Sequence, residues 1–349
     1  MMKTIKRLTA LFLTLLLLLS CASFAEEDTE TEETDATEAV IEKDGWHFTE
    51  KGFLTGENPG DEYILEDEDQ GVWQYASRDL SVKVTRFREQ TKKKMKQEYC
   101  VAEIWASPAS PLSAIQSEPK SNLKLKGVAY PGTEQRYVED LIAKNPSVLA
   151  VSDDMYGLRI TPVSGGKTKY DFHGVIIRNG EVIATKTRNS QKRRNWPNLD
   201  TLAVYRDGSM KSYDSDALTA EEYLEQGAEH VFAFGPWLLS GGEIHPNLPK
   251  INDYSEPRVA IGMVEPYHYI IIATAGRPKG EYLGYKLSWL ADKMLEYGCT
   301  EALNLDGGDT VALAFNNKII LHGNMKAKKL RNLGSMIAFG LREKPASEE

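Results

Sequence analysis

An α+β fold is predicted for this chain, with antiparallel-rich, mixed β-sheets, a few packed helices and a single large domain. Three observations predict it. Segments with strand character outnumber those with helical periodicity, most neighbouring strand candidates are joined by hairpin-type turns, and only two or three segments repeat apolar residues at helical spacing.

The leader comes first. Lys3, Lys6 and Arg7 precede the apolar run 8–19, which is too short to span a bilayer comfortably and has the layout of a secretory signal. Two cuts fit: after Ser23-Phe24-Ala25, giving a signal peptide 1–25, or before Cys21 in Leu18-Leu19-Ser20-Cys21, giving a lipoprotein signal to residue 20. Either way the expectation is a bacterial protein outside the cytoplasmic membrane: secreted under the first cut, which removes Cys21, or attached to the cell surface through a lipid on Cys21 under the second. Residues 26–44, nearly all Glu, Asp, Thr and Ala at first, cannot bury apolar area and are expected to form a solvated acidic tether.

The remainder is long enough for one large domain with an N-terminal β extension over 45–120, a main domain over 121–342 and a tail at 343–349. A formal charge of −9 argues against nucleic acid or an anionic membrane as general partner, since both attract a basic surface. Beyond Cys21 the cysteines are Cys100 and Cys299, paired or free, and no closely spaced Cys/His set suggests zinc.

In the extension, 45–71 carries short strands and loops. Residues 74–76, 80–85 and 99–105 alternate as strands, and the basic run 92–96 forms a hairpin tip between the last two. Val138, Leu141 and Ile142 mark a helix within 133–144 that feeds the apolar strand 148–151. Hairpins follow at Asn179-Gly180, a type I′ signal, and at Asp207-Gly208. A short helix over 220–226 leads into the strand 230–234. Residues 258–264 and 267–273 form a further strand pair, and Leu287, Leu290, Ala291, Met294 and Leu295 mark a helix that Gly298 caps. Strands at 318–322 and 336–339 close the sheet.

The stretch that organises the rest is Glu301-Ala302-Leu303-Asn304-Leu305-Asp306-Gly307-Gly308-Asp309-Thr310-Val311-Ala312-Leu313-Ala314-Phe315. Two strand-like runs flank a Gly-Gly turn, where glycines allow close backbone approach and Asn304, Asp306, Asp309 and Thr310 supply polar atoms. The bland alternative is an ordinary hairpin with polar turn residues.

Taken in order, Phe234-Gly235-Pro236, Arg258-Val259-Ala260-Ile261-Gly262 and Asn304-Leu305-Asp306-Gly307-Gly308 resemble the motifs of the phosphodiester glycosidase family. Ser152-Asp153-Asp154-Met155-Tyr156-Gly157 is similar to that family's Asn-Gly-Asp-Tyr/Phe-Phe segment, with Asp154 in the place of the acidic residue that faces the sugar phosphate. The resemblance implies hydrolysis of a sugar-1-phosphodiester, with a glycan or sugar phosphate as partner. It implies catalytic roles for Asp306, Asp154 and Arg258, and ligand contacts from Gly307, Gly308, Gly235 and Arg331; Asn304, Asp309 and Thr310 are candidate contacts by the polar atoms they bring to the turn, and His173 by its place before the first hairpin. An oxocarbenium-like transition state calls for a carboxylate beside the anomeric carbon, and the phosphate for a cationic clamp and backbone donors. Asp309-Thr310 departs from the Gly-Ser of better-known members, adding a carboxylate that would repel the phosphate unless Arg258 or a cation offsets its charge. No cofactor is required by this chemistry. Ca²⁺ or Mg²⁺ on Asp306 and Asp309 is a weaker reading, and a non-catalytic surface glycan-binding domain on the same fold is the alternative function.

Overall fold

The computed structural model describes residues 39–117, 136–154, 161–162, 170–171, 174–186, 198–251 and 254–343. The expected leader, Cys21, most of the acidic tether and His173 lie outside the described residues. Three large sheets form the framework of the described residues. A long sheet of nine strands runs Glu243–Ile244, Trp237–Ser240, Glu301–Asn304, Val259–Glu265, His268–Thr274, Lys96–Ala106, Leu80–Gln90, Val72–Ala76, Tyr63–Asp67. A C-terminal sheet of five runs Lys318–His322, Ala312–Phe315, Ser147–Ser152, Ser335–Leu341, Ser113–Gln116. A hairpin sheet, also of five, runs Glu181–Lys186, Gly174–Arg178, Ala228–Phe234, Asp200–Tyr205, Met210–Tyr213. Every ladder within these three sheets is antiparallel.

Strand side chains point alternately to opposite faces, so each sheet sorts its residues by size. The inward faces carry Val82, Ile104, Val259, Ile261, Ile271 and Leu303 from the long sheet, Leu149, Val151, Leu313, Phe315, Ile337 and Phe339 from the C-terminal sheet, and Leu202, Val204 and Phe232 from the hairpin sheet; together they form one central core. Where helices lie over them the outward faces are buried too, which is why strands such as Ser147–Ser152 and His268–Thr274 read as continuous apolar runs. Each sheet is covered by one helix. α1, Val138–Lys144, lies over Ala150, Ala312, Ala314 and Ala338. α2, Ala220–Glu225, lies over Val175, Ala203 and Val231. α3, Leu287–Glu296, lies over Ala260, Ile270, Ile272 and Ala302. Helices this short are marginal in water alone, so packing against these faces holds them. Local signals set their ends: Thr219 and Glu222 form a reciprocal capping box on α2, and Gly298 leaves α3 at φ +81°.

The strand and helix expectations correspond to elements of the structure within a few residues. Asn179 and Gly180 both take positive φ, as a type I′ turn requires. Cys100 and Cys299 are free and buried. No helix among the described residues is long and apolar enough to cross a membrane. The hairpin alternative for the 301–315 stretch does not hold. Glu301–Asn304 pairs with strands of the long sheet and Ala312–Phe315 with strands of the C-terminal sheet, so the Gly-Gly turn passes from one sheet to the other. Similarly, the strands of the extension pair into the long sheet that contains Glu301–Asn304.

One buried histidine makes stability depend on pH. His230 is enclosed in the hairpin sheet, where its Nδ1 accepts the Asn179 amide at 3.3 Å. Burial, reinforced by the Arg178 charge, lowers its pKa from 6.5 to about 3. The folded state therefore holds neutral His230 while the unfolded chain takes up a proton, and the stability present above pH 6.5 is lost as pH falls from 6.5 towards 3. Near pH 4.5 the expected loss is about 2–3 kcal/mol. Urea unfolding at pH 7 and near 4.5 tests this: His230→Gln should flatten the difference by that amount, and an unchanged difference would exclude His230 as its source.

Candidate active site

The Asp306 turn is fixed from three directions, and each fixing contact comes from the end of a different strand. The Asp306 amide donates to the Asp153 carbonyl, at the end of Ser147–Ser152, at 3.1 Å. The Gly308 amide donates to the Pro257 carbonyl, just before Val259–Glu265, at 2.9 Å. Beneath the turn lies Gly323, at the end of Lys318–His322, so close that a side chain there would collide with the Gly308 carbonyl. Gly307 is needed for a related reason: a Cβ on it would run into the Pro257 carbonyl. The two glycines thus let the chain pack tightly on itself, and the Gly308 amide expected to face a phosphate is engaged by Pro257.

Behind the turn sits an ion-pair cluster. Arg178 bonds Asp154 and lies 3.4 Å from Asp153, with all three side chains almost fully enclosed. Its Nη1 donates to the Val231 carbonyl at 2.7 Å, and its guanidinium stacks 4.1 Å from the Phe232 ring centroid. The second Asp154 oxygen accepts the Ala233 amide at 2.5 Å, while Asp153 also accepts the Ser335 hydroxyl. Asp154, which the resemblance turned toward the ligand, is thus directed inward and joins all three sheets: its own strand, Arg178 and Ala233 of the hairpin sheet, and, through Asp153, the Asp306 turn.

Asp306 itself is 8% exposed. Two residues before it, Asn304 donates through Nδ2 to the Gly235 carbonyl at 2.8 Å, which orients the amide. Its Oδ1 is buried and accepts no hydrogen bond among the described residues. Gly235 has φ +81°, and a Cβ on it would strike Asn198 and Asp200.

The part expected of Arg258 falls to a different arginine. Arg258 directs Nη2 at the Tyr254 carbonyl at 2.9 Å and Nε at that of Tyr285 at 3.4 Å. The cation that reaches the turn is Arg277, on the loop after His268–Thr274. Its guanidinium lies against Gly308, pairs with Asp309 at 2.6 Å and with Glu256 at 3.1 Å. Although burial works against its charge, the Asp309 and Glu256 carboxylates prevail and raise its pKa. The charge of Asp309 is therefore offset by Arg277. Sequence reasoning missed this residue because it sits in a Gly-Arg-Pro-Lys-Gly turn that looks like solvated surface. Arg331 donates to the Thr310 hydroxyl at 2.8 Å. Beside them opens a cleft of about 380 Å³, lined by Asp309, Asn324, Ala327, Lys329, Leu330 and Arg331. Among the described residues no group of three or more His, Cys, Asp or Glu is arranged to hold a metal.

Asn304, Asp306, Gly307, Gly308, Asp309, Thr310, Gly235 and Arg331 thus gather at one end of the sheets, with Asp154 beneath and Arg258 to one side. The sequence profile of a family described as phosphodiester glycosidase matches residues 150–340, a span that includes every one of these residues. Over 152 residues the chain is 26% identical to the SPbeta prophage-derived uncharacterized protein YomE of Bacillus subtilis (strain 168), covering 41% of this chain and 23% of that protein's length. The catalytic domain of zebrafish N-acetylglucosamine-1-phosphodiester alpha-N-acetylglucosaminidase has a similar fold, with a TM-score of 0.54 at 14% identity over 82% of this chain and 90% of that one.

Proposed function

The chain belongs to the phosphodiester glycosidase family, and from that premise we propose that it is an exported hydrolase that cleaves sugar-1-phosphodiester bonds in cell-envelope or extracellular glycans. The observation that carries the reading is the juxtaposition at the sheet-to-sheet turn: a nearly buried carboxylate on Asp306, and a paired guanidinium from Arg277 across Gly308. In this reading the Asp306 carboxylate stabilises positive charge developing at the anomeric carbon. The buried Oδ1 of Asn304 offers an acceptor to a sugar hydroxyl. The phosphate lies toward Arg277, Arg331 and Lys329, where a planar guanidinium can meet two of its oxygens. The leaving phosphate is stable as an anion, so this chemistry needs no strong general acid. Asp154 supports the turn from behind. The N-terminal leader pattern supports export, and the non-catalytic glycan-binding alternative is separated from hydrolysis by turnover alone.

The test is to assay the purified protein against UDP-N-acetylglucosamine and other sugar-1-phosphodiesters, with and without EDTA, in wild type, Asp309→Gly and Arg277→Met. Release of sugar and phosphomonoester is expected. Binding without turnover would favour the glycan-binding alternative. Because Asp309 occupies Arg277, Asp309→Gly should lower KM by about tenfold, corresponding to ~1.4 kcal/mol, and Arg277→Met should raise it. A KM raised by Asp309→Gly together with loss of an EDTA effect would instead assign Asp309 to a cation.

A further inference from the structure

Asp200 begins the strand Asp200–Tyr205, at the end of the hairpin sheet that faces the turn; it is the register partner of Phe234. Gly235 is the residue between Asp200 and the site described above. Its carbonyl takes the Asn304 amide at 2.8 Å, and the side chain it lacks would occupy the space against the Asp200 Cβ, at 2.9 Å. The Asp200 carboxylate is 4% exposed. Its Oδ2 accepts the Trp237 amide at 3.2 Å and the Asn198 side-chain amide at 2.5 Å. Its Oδ1 has no hydrogen-bond partner among the described residues. Asn198, which donates to that carboxylate, is itself exposed.

We infer that Asp200 is the proton acceptor for the water that attacks the anomeric carbon in the hydrolysis proposed above; the inference rests on that reading. In the step, the water oxygen bonds to the anomeric carbon while the bond from that carbon to the phosphate oxygen breaks. The electron pair leaves with the phosphate as a phosphomonoester, and the water proton passes to Oδ1. That proton then returns to solvent, and the Asp306 carboxylate lies beside the sugar throughout. Asp200 suits this part because a base is most effective when its pKa approaches the working pH. Burial raises the Asp200 pKa above the ordinary value; Asp214 adds to the shift, while the Trp237 amide, Asn198 and His245 oppose it. Tyr223 of α2 is the remaining titratable group facing it, and its own pKa is raised to about 12, so it stays neutral at working pH.

The experiment uses the full mature protein. Asp200→Asn preserves the side-chain shape and an oxygen for the Trp237 amide. Its kcat is expected to fall about 10²- to 10⁴-fold with little change in KM, and the acid limb of the pH–rate profile should disappear. Wild-type turnover and pH profile in Asp200→Asn would overturn the inference while leaving the hydrolase reading intact. A wild type that turns over none of the diesters would overturn both. The wild-type protein labelled with ¹³C at its aspartate carboxyls gives a readout that does not depend on the variant folding. N-acetylglucosamine 1-phosphate should shift the Asp200 titration, and a titration indifferent to that ligand would place Asp200 outside the pocket and overturn the inference.

Discussion

Arg178→Met is expected to destabilise the fold by about 3–5 kcal/mol, because it removes a guanidinium that pairs with the enclosed Asp153 and Asp154 carboxylates. Methionine fills a similar volume over Phe232, so little of the loss should come from a cavity. The measurement is urea unfolding at neutral pH. Asp154→Asn in the same background should restore part of the stability by removing one of the two carboxylates, a coupling that a double-mutant cycle would register. A loss below about 1 kcal/mol would mean that water or a rearranged neighbour replaces the guanidinium, and would remove the ion pair from any account of how the turn is held.

Asp306→Asn is the corresponding test on activity. The substitution keeps the shape of the side chain and the backbone amide that bonds Asp153, so stability should change by no more than about 1 kcal/mol. Turnover of a sugar-1-phosphodiester should fall about 10³-fold or more, since a neutral amide cannot offset charge at the anomeric carbon. Ligand binding should be affected far less than kcat, which marks an interaction made in the transition state. Unfolding in parallel with the loss of activity would assign Asp306 to the scaffold.

The two substitutions divide the site into a part that was legible in the sequence and a part that was not. Strands such as 148–151 and 267–273 were readable because burial on both faces leaves dense apolar runs, and turns such as Asn179-Gly180 because positive φ restricts residue choice. The glycine-flanked carboxylates were readable because close packing at Gly307 and positive φ at Gly308 both call for glycine. Partnership was not. Nothing local in Glu301–Asn304 and Ala312–Phe315 states that they join different sheets, since a strand's pattern encodes its two faces and not its neighbours. Arg178, directly before a turn signal, looks like an ordinary strand-end cation, yet it is among the largest fully buried side chains. Asp200 looks like a loop acid before a hairpin. In each case burial comes from chain segments distant in sequence, as it does for Arg277, which meets Gly308 only because two loops are stitched together at Gly323.

The passage of the turn between sheets also governs when the site can come into being. Ser152 and Ala312, whose hydrogen bond joins the two strands nearest the turn, are 160 residues apart in the chain, and Asn304 and Gly235 are 69 apart. Contacts of such span carry the entropy of closing long loops before they return any stabilisation, and they slow folding accordingly. During synthesis the turn residues emerge before Ser335, whose hydroxyl holds Asp153, and before the strand Ser335–Leu341, which pairs with Ser147–Ser152. A nascent chain halted short of that strand would carry every residue of the turn and still lack its native geometry. In a refolding experiment, recovery of activity should therefore follow the slowest step of assembly, after the hairpins near Asn179 and Asp207 have already formed from neighbouring residues.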